Sequence, residues 1–174
     1  MVKQINAKDL KPVLIDPKVG LSSKVKPVKN PYYLITDEAQ VIFVVSPGLN
    51  GVEFNKTIGS KGSFEGITIY QCLYGQGILA LQRNDVGGQI KEFKVVTINS
   101  GRQVGVPAGW SSCLVNVGKG FLVVLKSGGY EETPANSADI IEKRGLAYYI
   151  VEKKGEIGFE QNPNYRVHPQ ITTE

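Results

Sequence analysis

Between short runs of glycine and proline, apolar and polar residues alternate with the period of two that a half-buried strand requires. The clearest such segments are 41–45, 67–73, 77–82, 89–96, 113–117 and 121–126. Asn84-Asp85-Val86-Gly87-Gly88, rich in residues that tolerate positive φ, predicts a hairpin joining the third segment to the fourth. Many short strands with glycine-rich turns make this an all-β protein built as a sandwich or barrel. One helix is expected, capped by Ser137, with Asp139 at its positive end, Ile140 and Ile141 on its apolar side, Lys143 and Arg144 near its close and Gly145 as its stop. Residues 147–152 and 157–160 then predict a strand pair around Lys153-Lys154-Gly155. Residues 1–30, with Pro12, Pro17 and Pro27 among lysines, read as an extended N-terminal arm packing on the barrel, and 31–174 as one domain.

Composition narrows the chemistry. At 174 residues and 41% hydrophobic, the chain can bury one real core. Its 20 Lys+Arg against 16 Asp+Glu give a net charge of +4, but the cations are scattered, so no nucleic-acid partner is expected. The single histidine, His168, excludes a site of several imidazoles and gives a Ser-His-Asp hydrolase little support. His168 reads as a solvated tail residue. Cys72 and Cys113 read as buried thiols. No apolar leader opens the chain and no run is long enough to cross a bilayer, so a cytoplasmic location with no membrane partner is expected.

The stretch Gly101-Arg102-Gln103-Val104-Gly105-Val106-Pro107-Ala108-Gly109-Trp110-Ser111-Ser112-Cys113-Leu114-Val115-Asn116 resembles the second signature of the cupin superfamily through Gly101, Pro107, Gly109 and Asn116. Pro47 to Gly59, Leu73-Tyr74-Gly75-Gln76-Gly77, Gly105 to Trp110 and the ending through Asn162-Pro163-Asn164-Tyr165 are similar to the archaeal, cupin-type phosphoglucose isomerases. The resemblance implies a cupin barrel (a double-stranded β-helix or jelly roll) with one short C-terminal helix. It also implies a relative of enzymes that interconvert glucose 6-phosphate and fructose 6-phosphate with help from a metal. That family holds its metal with three histidines and a glutamate, and the matching positions here are Ser60, Gly62, Thr68 and Ser112. Hydroxyls do not ionise near neutral pH and bind transition metals weakly, so neither a metal nor another cofactor is expected.

The resemblance assigns phosphate contacts to Thr57 and Gly59, with Ser60 and Lys61 beside them. If Thr68 faces the barrel interior, alternation turns Tyr70 and Cys72 the same way, and Ser112 and Leu114 inward on the later strand, with Trp110 near them. The expected ligand site is therefore Thr57, Gly59, Ser60, Lys61, Thr68, Tyr70 and Ser112, taking a small polar ligand such as a sugar phosphate. Catalytic residues stay open. Lys61, Glu65 and Tyr74 are the candidates for proton transfer, and Glu53 is a further one. Cys113, with no histidine to activate it, is expected to be inert. The leading reading is a metal-free homologue of cupin-type glucose-6-phosphate isomerase that binds ligand with little or no turnover. The alternatives are an active isomerase using non-metal residues, or a structural or interaction cupin without a ligand. Resemblance to this family also implies a homodimer.

Overall fold

The structure is a computed structural model, and it describes residues 1–16, 26–62, 65–128 and 134–174. In chain order the strands are β1 (Val2–Ile5), β2 (Tyr32–Asp37), β3 (Gln40–Val45), β4 (Leu49–Asn50), β5 (Glu53–Phe54), β6 (Ser60–Lys61), β7 (Thr68–Tyr74) and β8 (Gln76–Asn84). They continue with β9 (Ile90–Asn99), β10 (Gln103–Val106), β11 (Trp110–Asn116), β12 (Leu122–Ser127), β13 (Tyr148–Lys153), β14 (Glu156–Gln161) and β15 (Ile171–Thr173). Two short helices, α1 (Ala7–Leu10) and α2 (Pro134–Glu142), complete the set, with a 3-10 turn at Lys11–Val13.

A six-stranded sheet ordered β1-β2-β3-β12-β7-β10 faces a five-stranded sheet ordered β15-β9-β8-β11-β6. Nearly all pairings are antiparallel, and the two sheets enclose one apolar interior, as expected of a cupin barrel. Alternation decides which residues enter it. Leu34, Val41, Phe43, Tyr70, Cys72, Leu79, Leu81, Val96, Ile98, Leu114, Leu122 and Val124 are buried together between the sheets. Their odd or even neighbours point the other way. A second core lies on the outer face of the five-stranded sheet, where Ile78, Ala80, Phe93, Val95, Cys113 and Val115 meet Leu10, Val13, Leu14, Ile140 and Ile150 from the covering elements. The hairpin between β8 and β9 turns at the predicted place, closed by Asp85 N–H to the Gln89 carbonyl at 2.8 Å.

Three expectations need correction. The helix starts at Pro134, three residues before Ser137, since proline suits a helix's first turn. Ser137 instead donates its hydroxyl to the Gly59 carbonyl at 2.6 Å, tying α2 to the segment before β6. Ile140 is buried, whereas Ile141 faces solvent. At the other end Arg144 already has φ +61. Its N–H reaches the Ile141 carbonyl and that of Gly145 reaches Ile140, a paired closure of the last turn. Near the N-terminus, β1 is extended, but Asn6 and Asp9 then form a reciprocal cap that starts α1. Finally, His168 is no solvated tail: its Nε2 lies 2.8 Å from the Asn162 carbonyl, its ring meets Tyr148, and residues 171–173 run parallel to β9.

Candidate functional site

Cross-strand partners share a face, so the register lists what lines the barrel at the end where β7 begins. On the six-stranded sheet, Lys126 of β12 lies opposite Tyr70 of β7, which lies opposite Val104 of β10. On the five-stranded sheet, Ser60 lies opposite Ser112, Ser112 opposite Leu81, and Leu81 opposite Lys94. One step towards the rim, Trp110 lies opposite Arg83 and Arg83 opposite Glu92. The two sheets meet where the Tyr70 hydroxyl and Ser112 Oγ form a 2.6 Å hydrogen bond. Thr68, Ser60, Ser112 and Lys126 are all buried here.

This end is polar and cationic, whereas the rest of the interior is mainly apolar. Lys126 Nζ stands 5.7 Å from the centre of the Tyr70 ring. Arg83 Cζ at 5.8 Å and Lys94 Nζ at 5.4 Å both lie over the Trp110 ring, contacts that add attraction between cation and ring face. Arg83 is ion-paired with Glu92 at 2.6 Å, and Lys94 lies 3.8 Å from Glu174. The positive charges Arg83, Lys94 and Lys126 thus stand around the mouth.

Of the residues singled out in the sequence, Thr68, Tyr70 and Ser112 face the interior as alternation required, with Ser60 opposite Ser112 and Trp110 at the rim. Others lie apart. The Thr57 hydroxyl is taken up by β11: it accepts from the Leu114 N–H at 3.0 Å and meets Cys113 Sγ at 3.7 Å. Gly59 is held from the far side by Ser137. Lys61 lies opposite Ser111, on the outer face, and lines a cleft of about 250 Å³ with Gln82, Asp139 and Tyr165. Glu65 is exposed ahead of β7, and Tyr74 is 62% exposed at that strand's other end, roughly 20 Å from Thr68 by strand rise. Lys61, Glu65 and Tyr74 therefore do not converge. Cys72 belongs to the packed interior, where burial pushes its thiol pKa up.

Glu53 and Cys113 lie in the second core, outside the barrel. Burial raises the Glu53 carboxyl above its usual range, against the pull of Lys56 and of the Ile15 N–H. The Lys56 ammonium reaches its Oε1 at 2.5 Å and lies 5.0 Å from the Tyr149 ring centre. Burial also raises the Cys113 thiol, and raises Tyr149 to about 12. Among the described residues no three of His, Cys, Asp and Glu converge as a metal cage would require. Sequence reading overlooked Lys126. Its signal was the run Leu122-Val123-Val124-Leu125-Lys126, which puts the lysine in step with two interior residues.

Comparison with known proteins gives one family match: the model described as "Glucose-6-phosphate isomerase (GPI)" covers residues 24–168. No curated protein matches the chain. Among solved structures, the Drosophila melanogaster CENP-C cupin domain is 12% identical with a TM-score of 0.43, over 56% of this chain and 68% of that one. The capsular polysaccharide assembling protein CapF from Staphylococcus aureus is 13% identical with a TM-score of 0.41, over 63% of this chain and 33% of that one. A structure described as a predicted oxalate decarboxylase from Thermotoga maritima is 16% identical with a TM-score of 0.34, over 51% of this chain and 64% of that one.

Proposed function

The chain belongs to the glucose-6-phosphate isomerase (GPI) family, and from that premise we propose that it binds a sugar or sugar phosphate at the barrel mouth without a metal and with little or no isomerase activity. One observation carries the reading: the polar inner row of Thr68, Tyr70, Ser112 and Lys126 at one end of an otherwise mainly apolar barrel. A ring or open-chain sugar needs hydroxyl partners and an aromatic wall, and Tyr70, Ser60, Ser112 and Trp110 supply both. The family's metal does not fit the groups present. Gly62 has no side chain, Ser60, Thr68 and Ser112 offer only hydroxyls, and that of Ser112 already bonds Tyr70. Removing the Tyr70 hydroxyl is the simplest check. Tyr70→Phe should weaken fructose 6-phosphate binding about 2- to 12-fold, the worth of one hydrogen bond, and lessen ligand-induced thermal stabilisation correspondingly. Unchanged affinity would move the ligand away from this row.

We further propose that a second copy of the chain covers the outer face of the six-stranded sheet. Outward there point Val2, Tyr33, Ile35, Ile42, Val44, Val123, Leu125, Ile69 and Leu73, and of the outward positions in these strands only Asp37, at a hairpin tip, is charged. Ile35 and Leu73 are 39% and 43% exposed. Six strands about 4.8 Å apart and about 20 Å long form a plane of roughly 500 Å² before side-chain relief, near the ~600–1,000 Å² per partner of stable complexes. In a chain with a net charge of +4, this nearly uncharged face is the favourable place for self-association. Light scattering should give a dimer mass for the wild type and a monomer mass for Leu125→Glu. A wild-type monomer at micromolar concentration would remove this proposal.

A further inference from the structure

On the outer face of the five-stranded sheet, Ala80 and Cys113 lie opposite each other in the second core, and the next outward row is polar. It consists of Gln82 on β8, Ser111 on β11 and Lys61 on β6. Gln82 and Ser111 are 2% and 8% exposed, yet they line a cleft of about 250 Å³ beside α2. Buried Ile140 and the Ser137 hydroxyl, bonded to the Gly59 carbonyl, hold α2 in place, and Asp139 and Glu142 border the cleft from that helix. The site is therefore preformed.

Its buried groups have hydrogen-bonding capacity to offer. Among the described residues the Ser111 hydroxyl has no partner, although more than nine-tenths of the residue is buried. Gln82 Oε1 accepts the Ala147 N–H at 2.8 Å, which orients the amide, and Nε2 donates to the Tyr165 hydroxyl at 3.4 Å, so one of its two protons is left over. Leaving buried polar groups unpaired is costly, and a ligand that bonds them gains accordingly. Burial pushes the Tyr165 hydroxyl pKa up and the Asp139 carboxylate adds to that, so the carboxylate lies within electrostatic reach of the same groups.

We infer that this cleft is a second ligand site, outside the barrel, for a neutral polyhydroxylated molecule of about monosaccharide size. The inference goes beyond the proposed function and does not rest on it. Lys61 and Lys143 balance Asp139 and Glu142 around the cleft, so it has no net charge with which to select an anion or a cation. All four are exposed, where water screens them, whereas the buried Ser111 and Gln82 are neutral. A sugar hydroxyl both donates and accepts. It can take the spare Gln82 proton, pair with Ser111 and donate to Asp139.

Titrating the isotope-labelled full chain with glucose, followed by amide NMR, tests the inference. Glucose should shift the Gln82 side-chain amide and the Asp139 backbone amide saturably, with a millimolar Kd. Ser111→Ala and Asp139→Ala should each weaken this binding about 2- to 12-fold, the worth of one hydrogen bond, while Tyr70→Phe, inside the barrel, leaves it unchanged. Glycine and inorganic phosphate should not displace the sugar. If either does, charge selects the ligand and the inference is wrong. No saturable shift at Gln82 would also overturn it, and shifts confined to the barrel mouth would do so while leaving the proposed function standing. Wild-type affinity in both variants would place the sugar elsewhere. Should Ser111→Ala fail to fold, Asp139→Ala, at an exposed helical position, decides alone.

Discussion

Lys56→Met is expected to cost the fold about 3–5 kcal/mol, because it strands a carboxylate in an apolar core. Glu53 is wholly buried, its Oε2 accepts the Ile15 N–H at 2.8 Å, and its Oε1 relies on the Lys56 ammonium. That ammonium sits against Oε1 as an ion pair without a well-directed hydrogen bond. Around the pair, Ala80, Val115, Leu146 and Ile150 border a cavity with room for about one water, so little solvent can take the place of the lost cation. The pH dependence has a definite sign. Burial raises the Glu53 pKa above 4.5 in the folded state, so its contribution to stability is full below the unfolded value and is lost as pH rises through the folded one. In Lys56→Met the carboxyl is pushed higher still, and the damage should be greatest near pH 8 and shrink towards pH 5. Urea unfolding at both values measures this, and adding Glu53→Gln should restore most of the loss. A Lys56→Met penalty below about 1 kcal/mol would show the pair to be solvated.

Gly75→Ala should be nearly as damaging, at about 2–5 kcal/mol. Gly75 turns the chain from β7 into β8 with φ +93, and a Cβ there would lie 2.3 Å from the Phe121 carbonyl oxygen and 3.1 Å from Leu122 Cα. Left-handed backbone costs an L-residue about 1–2 kcal/mol, and overpacking adds about 1–3 kcal/mol when the obstacle is backbone that cannot swing aside. Gly101 separates the two contributions. Its φ is +92, but nothing lies within 4 Å of a Cβ built there, so Gly101→Ala should lose only the conformational part. Thermal unfolding of both variants checks the ordering, and equal losses would mean that the turn at Gly75 relaxes.

The spacing that places Gly75 in the cupin signature also places Thr68, and from Thr68 the alternation of β7 leads to Tyr70. The second signature places Ser112 three residues after Gly109, alternation turns it inward on β11, and the two side chains meet at 2.6 Å. Strand periodicity carries this much because each inward residue is buried against the facing sheet, so a slip of one position would expose the whole row. What alternation could not supply was partnership across distant segments. Thr57 looked available in the sequence, yet its hydroxyl is used by Leu114, 57 positions away. Lys126 was missed for a different reason: a lysine ordinarily reads as solvated, and only its register with Leu122 and Val124 reveals that it points inward. β15, with three residues, is too short to show a period, and it exists because β9 offers an open edge. The buried Glu53–Lys56 pair, three residues apart, was equally invisible, since on a solvated turn the same pair would carry no structural weight.

The central claim is that the barrel mouth holds a phosphorylated sugar by its own side chains, without a divalent ion. Calorimetric titration of chelator-treated wild-type protein with fructose 6-phosphate, repeated after adding Mn²⁺ or Zn²⁺, tests it most directly. The account predicts saturable binding of one ligand per chain with the same affinity in both titrations. Binding that appears only once the metal is restored would contradict it.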